Sequence, residues 1–248
     1  MADNWKSYFC NVNDKLASVF VNLALRSEAP VLSKPSLLWV WIYFQTPRPD
    51  GLSDGSEAPT LFKIEDALNL HIGRTCQAVS CGRVTTSGRR EFYFYAETNK
   101  GFASAVKAAL SSFTEYKFDL GDQEDSLWEH YLNVLYPSPD DLERIKNRDV
   151  LDVLKEQGDV HTAAREVQHW MYFPSETSRA LFRTEVAKAG FKIESESQIE
   201  GDNPFGISVT RTQPVAQEAI DATVMELLQL TEQFEGEYDG WETRVIMQ

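Results

Sequence analysis

The chain has 248 residues, 42% hydrophobic and 25% charged, a composition that excludes a disordered or fibrous protein and fits a globular one with a sizeable core. Its net charge of −14 is unevenly spread: residues 1–137 carry 13 Lys and Arg against 16 Asp and Glu, and residues 138–248 carry 11 against 22. The field of the second half repels phosphate backbones and anionic membranes and favours encounter with a basic protein surface.

Two extended segments open the chain, near residues 5–12 and 16–25, with Asn13-Asp14 as the hairpin turn between them. After a loop at 27–36, the run Leu37 to Phe44 is aromatic and β-branched, a strand signal. A Pro-, Asp- and Gly-containing loop follows, then Leu61, Ile64, Leu68 and Ile72 at helical spacing, with Gly73 as the expected stop. Strands are predicted at 77–86 and 90–96 around the turn Ser87-Gly88. Phe102, Val106, Ala109 and Phe113 mark a second helix, residues 116–120 a strand, and 126–135 a closing helix. From Leu37 onward the order is β-α-β-β-α-β.

Tyr136-Pro137-Ser138-Pro139 is the expected boundary, placing one domain at 1–137 and another at 138–248. Ser138 and Pro139 suit the start of a helix that continues to Gln157, before Gly158. A strand at 165–173 is followed by a helix opening at Pro174-Ser175-Glu176, with Leu181, Phe182, Val186 and Ala189 predicted inward. Strands at 191–199 and 205–211, a helix after Pro214 and a last strand from Glu237 to about Ile246 repeat the first order. The fold class is therefore α+β: two ferredoxin-like modules with antiparallel sheets, helices on one face, and an extra N-terminal hairpin.

That topology leaves the second face of each sheet to be covered by something else. Strand alternation assigns Leu38, Val40, Ile42 and Phe44 to the helix side of the first module and Trp39, Trp41 and Tyr43 to the other. In the second module, Val167, Met171 and Phe173 face the helices while Trp170 and Tyr172 face away. The last strand, Glu237-Tyr238-Asp239-Gly240-Trp241-Glu242, alternates carboxylates and aromatics. With Trp170 and Tyr172 it forms a candidate recognition surface: Tyr238 and Trp241 as further anchors, Glu237, Asp239 and Glu242 as steering charges. A solvated strand with Trp241 buried accounts for the same residues without a function, and Gly236 and Gly240 suggest a bulge. Convergence on a metal is disfavoured because successive strand residues point to opposite faces.

The remaining chemistry is sparse. Cys10, Cys76 and Cys81 match neither a disulfide framework nor a zinc or redox spacing. His71, His130, His161 and His169 show no metal-binding or catalytic spacing, and no nucleophile elbow, P-loop or dinucleotide fingerprint is present. No cofactor is expected. A signal sequence and a span-length apolar run are both lacking in this sequence, so a cytoplasmic protein without membrane contact is expected. Two alternatives keep a foothold: an enzyme or small-ligand binder that uses a cleft between the modules with His169, and an RNA binder that uses Arg83, Arg89, Arg90 and adjacent aromatics.

The segments Arg165–Phe173, Gly190-Phe191, Pro204-Phe205-Gly206, Ile220-Asp221 and Gly236 to Thr243 resemble the regulator of ribonuclease E activity B family over about residues 140–248. Residues 1–135, with Trp39-Val40, Glu65-Asp66 and Gly82-Arg83-Val84-Thr85, resemble a domain of unknown function, number 695. The first resemblance implies a ferredoxin-like fold and a non-enzymatic regulator that binds ribonuclease E and lowers RNA cleavage. The implied partner is thus a protein, ribonuclease E or another basic RNA-handling protein, with direct nucleic-acid binding not expected.

Overall fold

Two separate hydrogen-bonded sheets organise the chain in the computed structural model, which describes residues 2–247. Contacts divide it into two compact units, Met1–Ser138 and Pro139–Gln248.

In the first unit, β1 (Trp5–Val12) and β2 (Lys15–Asn22) form the hairpin, and Asn13 and Asp14 adopt the positive φ values of 50° and 61° that such tight turns need. β3 (Ser36–Tyr43), α1 (Ala58–Cys76), β4 (Val79–Thr86), β5 (Arg89–Ala96), α2 (Phe102–Ala109) and β6 (Phe118–Glu124) follow. The six strands lie in the order β1-β2-β4-β5-β3-β6, all antiparallel, so the last four have ferredoxin-like order and the hairpin extends the sheet beyond β4. Leu38, Val40, Ile42 and Phe44 pack with Leu61, Ile64, Leu68 and Ile72 of α1 and with Phe102 and Val106 of α2, as their spacing requires. Gly73 does not stop α1; the helix runs three residues further and ends where Gln77 takes the left-handed cap conformation, φ 52°.

The far face of this sheet is largely covered. The chain leaving β6 folds back through Asp125 to Tyr136, not as the expected α-helix but as a turn leading into one π-helical turn, Tyr131–Leu135. Trp128 stacks on Tyr95 with ring centroids 4.0 Å apart, and its Nε1 donates to the Lys34 carbonyl at 3.0 Å. The Tyr95 hydroxyl donates to Asp125 at 2.5 Å, Tyr131 Oη to the Asn22 carbonyl at 2.8 Å and Tyr8 Oη to the Leu135 carbonyl at 3.1 Å. Tyr8, Val19, Val21, Leu37, Trp128, Tyr131 and Leu135 are consequently buried in a second core opposite the helices. Trp39 and Trp41 lie beyond this cover, half-buried, with ring centroids 4.6 Å apart.

The second unit contains α3 (Pro139–Glu156), β7 (Arg165–Phe173), α4 (Glu176–Lys188), β8 (Lys192–Gln198), β9 (Phe205–Gln213), α5 (Gln217–Glu232) and β10 (Glu237–Thr243). Its strands are ordered β10-β7-β9-β8 and all antiparallel, the ferredoxin-like arrangement without additions. Ser175 caps α4 by accepting the Ser178 N–H at 3.0 Å. Met171, Phe173, Phe182, Val186 and Leu227 form one cluster, and Leu151, Leu154, Val167, Ile220 and Val224 another. Both lie between the sheet and its three helices. Leu181 departs from its expected inward position: it is 52% exposed, because Phe182 and Val186 alone define the buried stripe of α4.

The tail beyond β10 is tied to the loop preceding β7 by a fully buried ion pair. Arg165 pairs with Asp159, and its guanidinium also donates to the carbonyls of Val160 at 2.5 Å, Ala163 at 3.2 Å and Arg244 at 3.1 Å. Asp159 accepts the Ile246 N–H at 2.7 Å. Burial pushes the Asp159 carboxyl up, but the Arg165 and Ile246 hydrogen bonds outweigh it and hold the group below the ordinary carboxylate range. A carboxylate with a depressed folded pKa contributes stability above its unfolded value, near 3.9, and loses it as pH falls through the folded value. Asp159→Ala is therefore expected to destabilise this unit by about 3–5 kcal/mol at neutral pH, since Arg165 is left buried and uncompensated. Urea titrations at pH 7 and at pH 3 should show this penalty shrinking in acid.

Candidate functional site

Strand β7 is the centre of the second sheet, and its burial alternates strictly: Val167, His169, Met171 and Phe173 are buried while Gln168, Trp170 and Tyr172 are partly exposed. Helices α3, α4 and α5 occupy the first side. The other side carries Trp170 and Tyr172 as a half-buried aromatic pair on one strand, and none of the described elements of this unit packs over it.

The neighbouring strands complete this face. On β9, Gly206, Ser208 and Thr210 stand opposite Tyr172, Trp170 and Gln168. Gly206 leaves room for two neighbours: a Cβ there would run into Ser197 Oγ of β8 and meet Cε1 of the Tyr172 ring at 3.0 Å. Ser208 Oγ accepts from Gln168 Nε2 at 3.1 Å and lies 2.8 Å from Ser195 Oγ of β8. At one end, Glu166, Lys192, Glu194, Thr210, Glu242 and Arg244 line a hollow of about 360 Å³. Glu194 accepts from Lys192 at 2.6 Å and from Thr210 at 2.8 Å, and these two bonds hold its carboxyl below the ordinary range.

The edge strand β10 distributes its residues between the two faces through a bulge. Glu237 pairs with Tyr172 and Tyr238 with Met171; the register then shifts, and Gly240, at φ 146°, pairs with Trp170, Trp241 with His169 and Glu242 with Gln168. Glu237 and Glu242 thus join Trp170 and Tyr172 on the far face, with exposed Asp239 at the bulge. Tyr238 and Trp241 do not join them. Both turn to the helix side, where Tyr238 packs in both clusters and Trp241 Nε1 donates to Asn147 Oδ1 of α3 at 2.8 Å. Asn147 in turn donates to Asp221 of α5 at 2.8 Å. Their place in the sequence pattern therefore reflects packing of α3, β10 and α5.

His169 is also on the helix side and has no exposure. Its Nδ1 shares a 2.9 Å hydrogen bond with the Tyr238 hydroxyl, and its ring meets Phe191 edge-on. Burial, aided by the Arg211 charge, pushes its pKa down to about 3. It is a packed neutral histidine, sealed from the face a substrate would reach. The arginines proposed for RNA are likewise engaged. Arg83 pairs with Glu65 and lies 4.3 Å over Phe20, Arg89 pairs with Glu91 at 2.5 Å and lies 4.0 Å over Trp41, and Arg90 is buried beside Thr85. Among the described residues no group of His, Cys, Asp and Glu is placed to hold a metal ion. No helix is long and apolar enough to cross a membrane.

The polar residues of the far face, Glu166, Gln168, Ser195, Ser208 and Thr210, were not singled out by sequence reading. The alternation of β9, with Ile207 and Val209 against Gly206, Ser208 and Thr210, was the available signal.

Comparison with known proteins finds two family matches. Residues 3–136 match a family of unknown function, DUF695, and residues 144–243 match the family described as regulator of ribonuclease activity B. No curated protein sequence matches the chain. Among solved structures, an unknown protein from Galdieria sulphuraria is 14% identical, covering 86% of this chain and 99% of its own, with a TM-score of 0.23. A putative glycine cleavage system transcriptional repressor is 10% identical, covering 84% of this chain and 98% of its own, with a TM-score of 0.22. Scores this low support no conclusion about structure or function.

The buried histidine makes a pH prediction. Its folded pKa lies below the ordinary 6.5, so its neutral form stabilises the folded state fully above pH 6.5, and that contribution falls away on acidification toward about 3. Unfolding free energy should drop between pH 6.5 and 4 with a slope of up to about 1.4 kcal/mol per pH unit from this group. His169→Gln should flatten that part of the profile, measured by denaturant unfolding across the range.

Proposed function

We propose that this chain, which belongs to the DUF695 family over residues 3–136, is a regulator of ribonuclease activity that works by docking and not by catalysis. The match of residues 144–243 to regulators of ribonuclease activity B gives the regulatory class. The docking surface is the far face of the β10-β7-β9-β8 sheet. The observation that carries this reading is the joint placement of Trp170, Tyr172, Glu237 and Glu242 on that one face. Two rings half-buried on a rigid central strand are anchors that lose little conformational freedom on binding. Carboxylates beside them attract a basic segment and speed its encounter. The partner that fits is ribonuclease E, or another RNA-handling protein with a basic docking segment, as family members bind that enzyme.

The test is binding of purified ribonuclease E to the full chain, with RNA cleavage read in parallel. Glu237→Lys with Glu242→Lys should slow association and reduce the salt dependence of binding, because these charges act at the rim. Trp170→Ala should cost about 2 kcal/mol or more, roughly thirty-fold in Kd, as loss of a central anchor does. Unchanged affinity in all these variants would remove this face from the interaction. Cleavage of RNA by the purified chain alone would replace the docking reading with a catalytic one.

A further inference from the structure

The two units carry the same short sequence at the same place in the fold. β3 lies between β5 and β6, and β7 lies between β9 and β10. Each of these strands closes on Trp-x-Tyr-Phe: Trp41-Ile42-Tyr43-Phe44 in the first unit and Trp170-Met171-Tyr172-Phe173 in the second. Ile42 and Phe44, like Met171 and Phe173, enter the helix-side core, so the Trp and Tyr of each unit stand on the far face.

The first unit supplies its own partners for these rings. Arg89 of β5, paired with Tyr43, lays its guanidinium 4.0 Å from the Trp41 ring centre. Glu91, paired with Trp41, holds that guanidinium by accepting from Arg89 Nε at 2.6 Å, and it also accepts the Tyr93 hydroxyl at 2.6 Å. The strand pairing carries these positions over to the second unit. Arg89 corresponds to Gly206, which pairs with Tyr172, and Glu91 corresponds to Ser208, which pairs with Trp170. Neither carries a charge. On its other side Trp170 pairs with Gly240, where an added Cβ would meet nothing within 4 Å. Among the described residues, no second ring and no guanidinium lies against Trp170 or Tyr172. The acid is still there: exposed Glu237 and Glu242 lie to either side of the Trp170 pair on β10, and neither forms an ion pair among the described residues. The second unit thus keeps the ring and the carboxylates and lacks only the cation.

We propose that the docking partner supplies this cation: an arginine of its basic segment lies flat on Trp170, with Glu237 and Glu242 as counter-charges, as Arg89 lies on Trp41 with Glu91. This rests on the far face being the docking surface and adds which side chain that face selects. The ring quadrupole attracts any cation, but a planar guanidinium stacks on the indole and forks onto carboxylates, while a compact, strongly hydrated ammonium does neither as well. An apolar side chain over Trp170 would instead strip water from Glu237 and Glu242 without replacing it. The first unit shows that this strand pair accommodates a guanidinium on the tryptophan when one is provided.

The experiment uses the full chain and two capped peptides of equal length and charge, one of glycine, serine and arginine and one with lysine in place of arginine. Binding is followed by calorimetry and by amide and indole chemical shifts, with the Trp170 indole signal assigned from its loss in Trp170→Leu. The arginine peptide should bind the parent about five-fold more tightly than the lysine peptide and shift the Trp170 indole and residues 206–208. Trp170→Leu should bring the two peptides within two-fold of each other, whereas Trp170→Phe, which keeps a ring, should retain part of the preference. Equal affinity of the two peptides for the parent, or an arginine preference that survives Trp170→Leu, overturns the proposal. Ribonuclease E that binds the parent and not Trp170→Ala, while the peptides bind alike, leaves the docking surface standing and removes the arginine. An arginine preference lost in Trp170→Leu, with no binding of ribonuclease E, supports the arginine site and removes that partner.

Discussion

Each sheet in this protein has two faces and each set of helices covers one, so the fate of the second face determines what each unit can do. An antiparallel sheet tolerates solvent on one side only when that side is polar. The first unit places Leu37, Tyr93, Tyr95, Val19 and Val21 on its far side, all buried, and must therefore supply its own cover. The Asp125–Tyr136 segment does this with Trp128, Tyr131 and Leu135, and is tied down by hydrogen bonds to Lys34, Asn22 and Tyr8. The second unit has Gln168, Ser208, Thr210, Glu237 and Glu242 on its far side, with Trp170 and Tyr172 as the apolar exceptions. One fold thus yields a double core in one copy and a half-polar platform in the other, and the difference lies in a few residues per strand.

Most of the element order was legible because strands and helices in both halves carry clear periodicity. The two tight turns at Asn13-Asp14 and Ser87-Gly88 were readable from residue type, and both show the positive φ values implied. What resisted reading was context. Gly73 is an ordinary interior residue of α1 because the flanking contacts of Ile72 and Cys76 continue the buried stripe past it. The 126–135 segment has the aromatic content of a helix, yet Trp128 is placed to stack on Tyr95 and meet Tyr131 edge-on and not to continue a regular apolar face.

The candidate site shows the same limit in sharper form. Strict alternation from Glu237 puts 237, 239 and 241 on one face and 238, 240 and 242 on the other. The bulge at 238–240 instead sends Tyr238 and Trp241 together to the helices and Glu237 and Glu242 together to the far face. Gly240 was the sequence trace of that shift, since φ 146° is accessible only to glycine without strain. Half of the aromatic anchors expected from sequence therefore belong to packing. Their distinctive pattern comes from the His169–Tyr238 and Trp241–Asn147–Asp221 hydrogen bonds.

The carboxylates of β10 have a second physical role that must be separated from partner steering. β10 is an edge strand, and exposed charges together with a bulge are what keep such an edge from pairing with another chain. Glu237, Asp239 and Glu242 satisfy that requirement whether or not anything docks on the face beside them. The two roles respond differently to charge sign. Lysine protects an edge as well as glutamate does, so reversal leaves the edge guarded while inverting its attraction for a basic partner. A neutral serine or glutamine weakens both at once. Loss of binding on reversal without a change in the chain's association state belongs to recognition, whereas self-association on neutralisation belongs to the edge. The two contributions are thus separable in a single set of substitutions, even though the same three side chains make them.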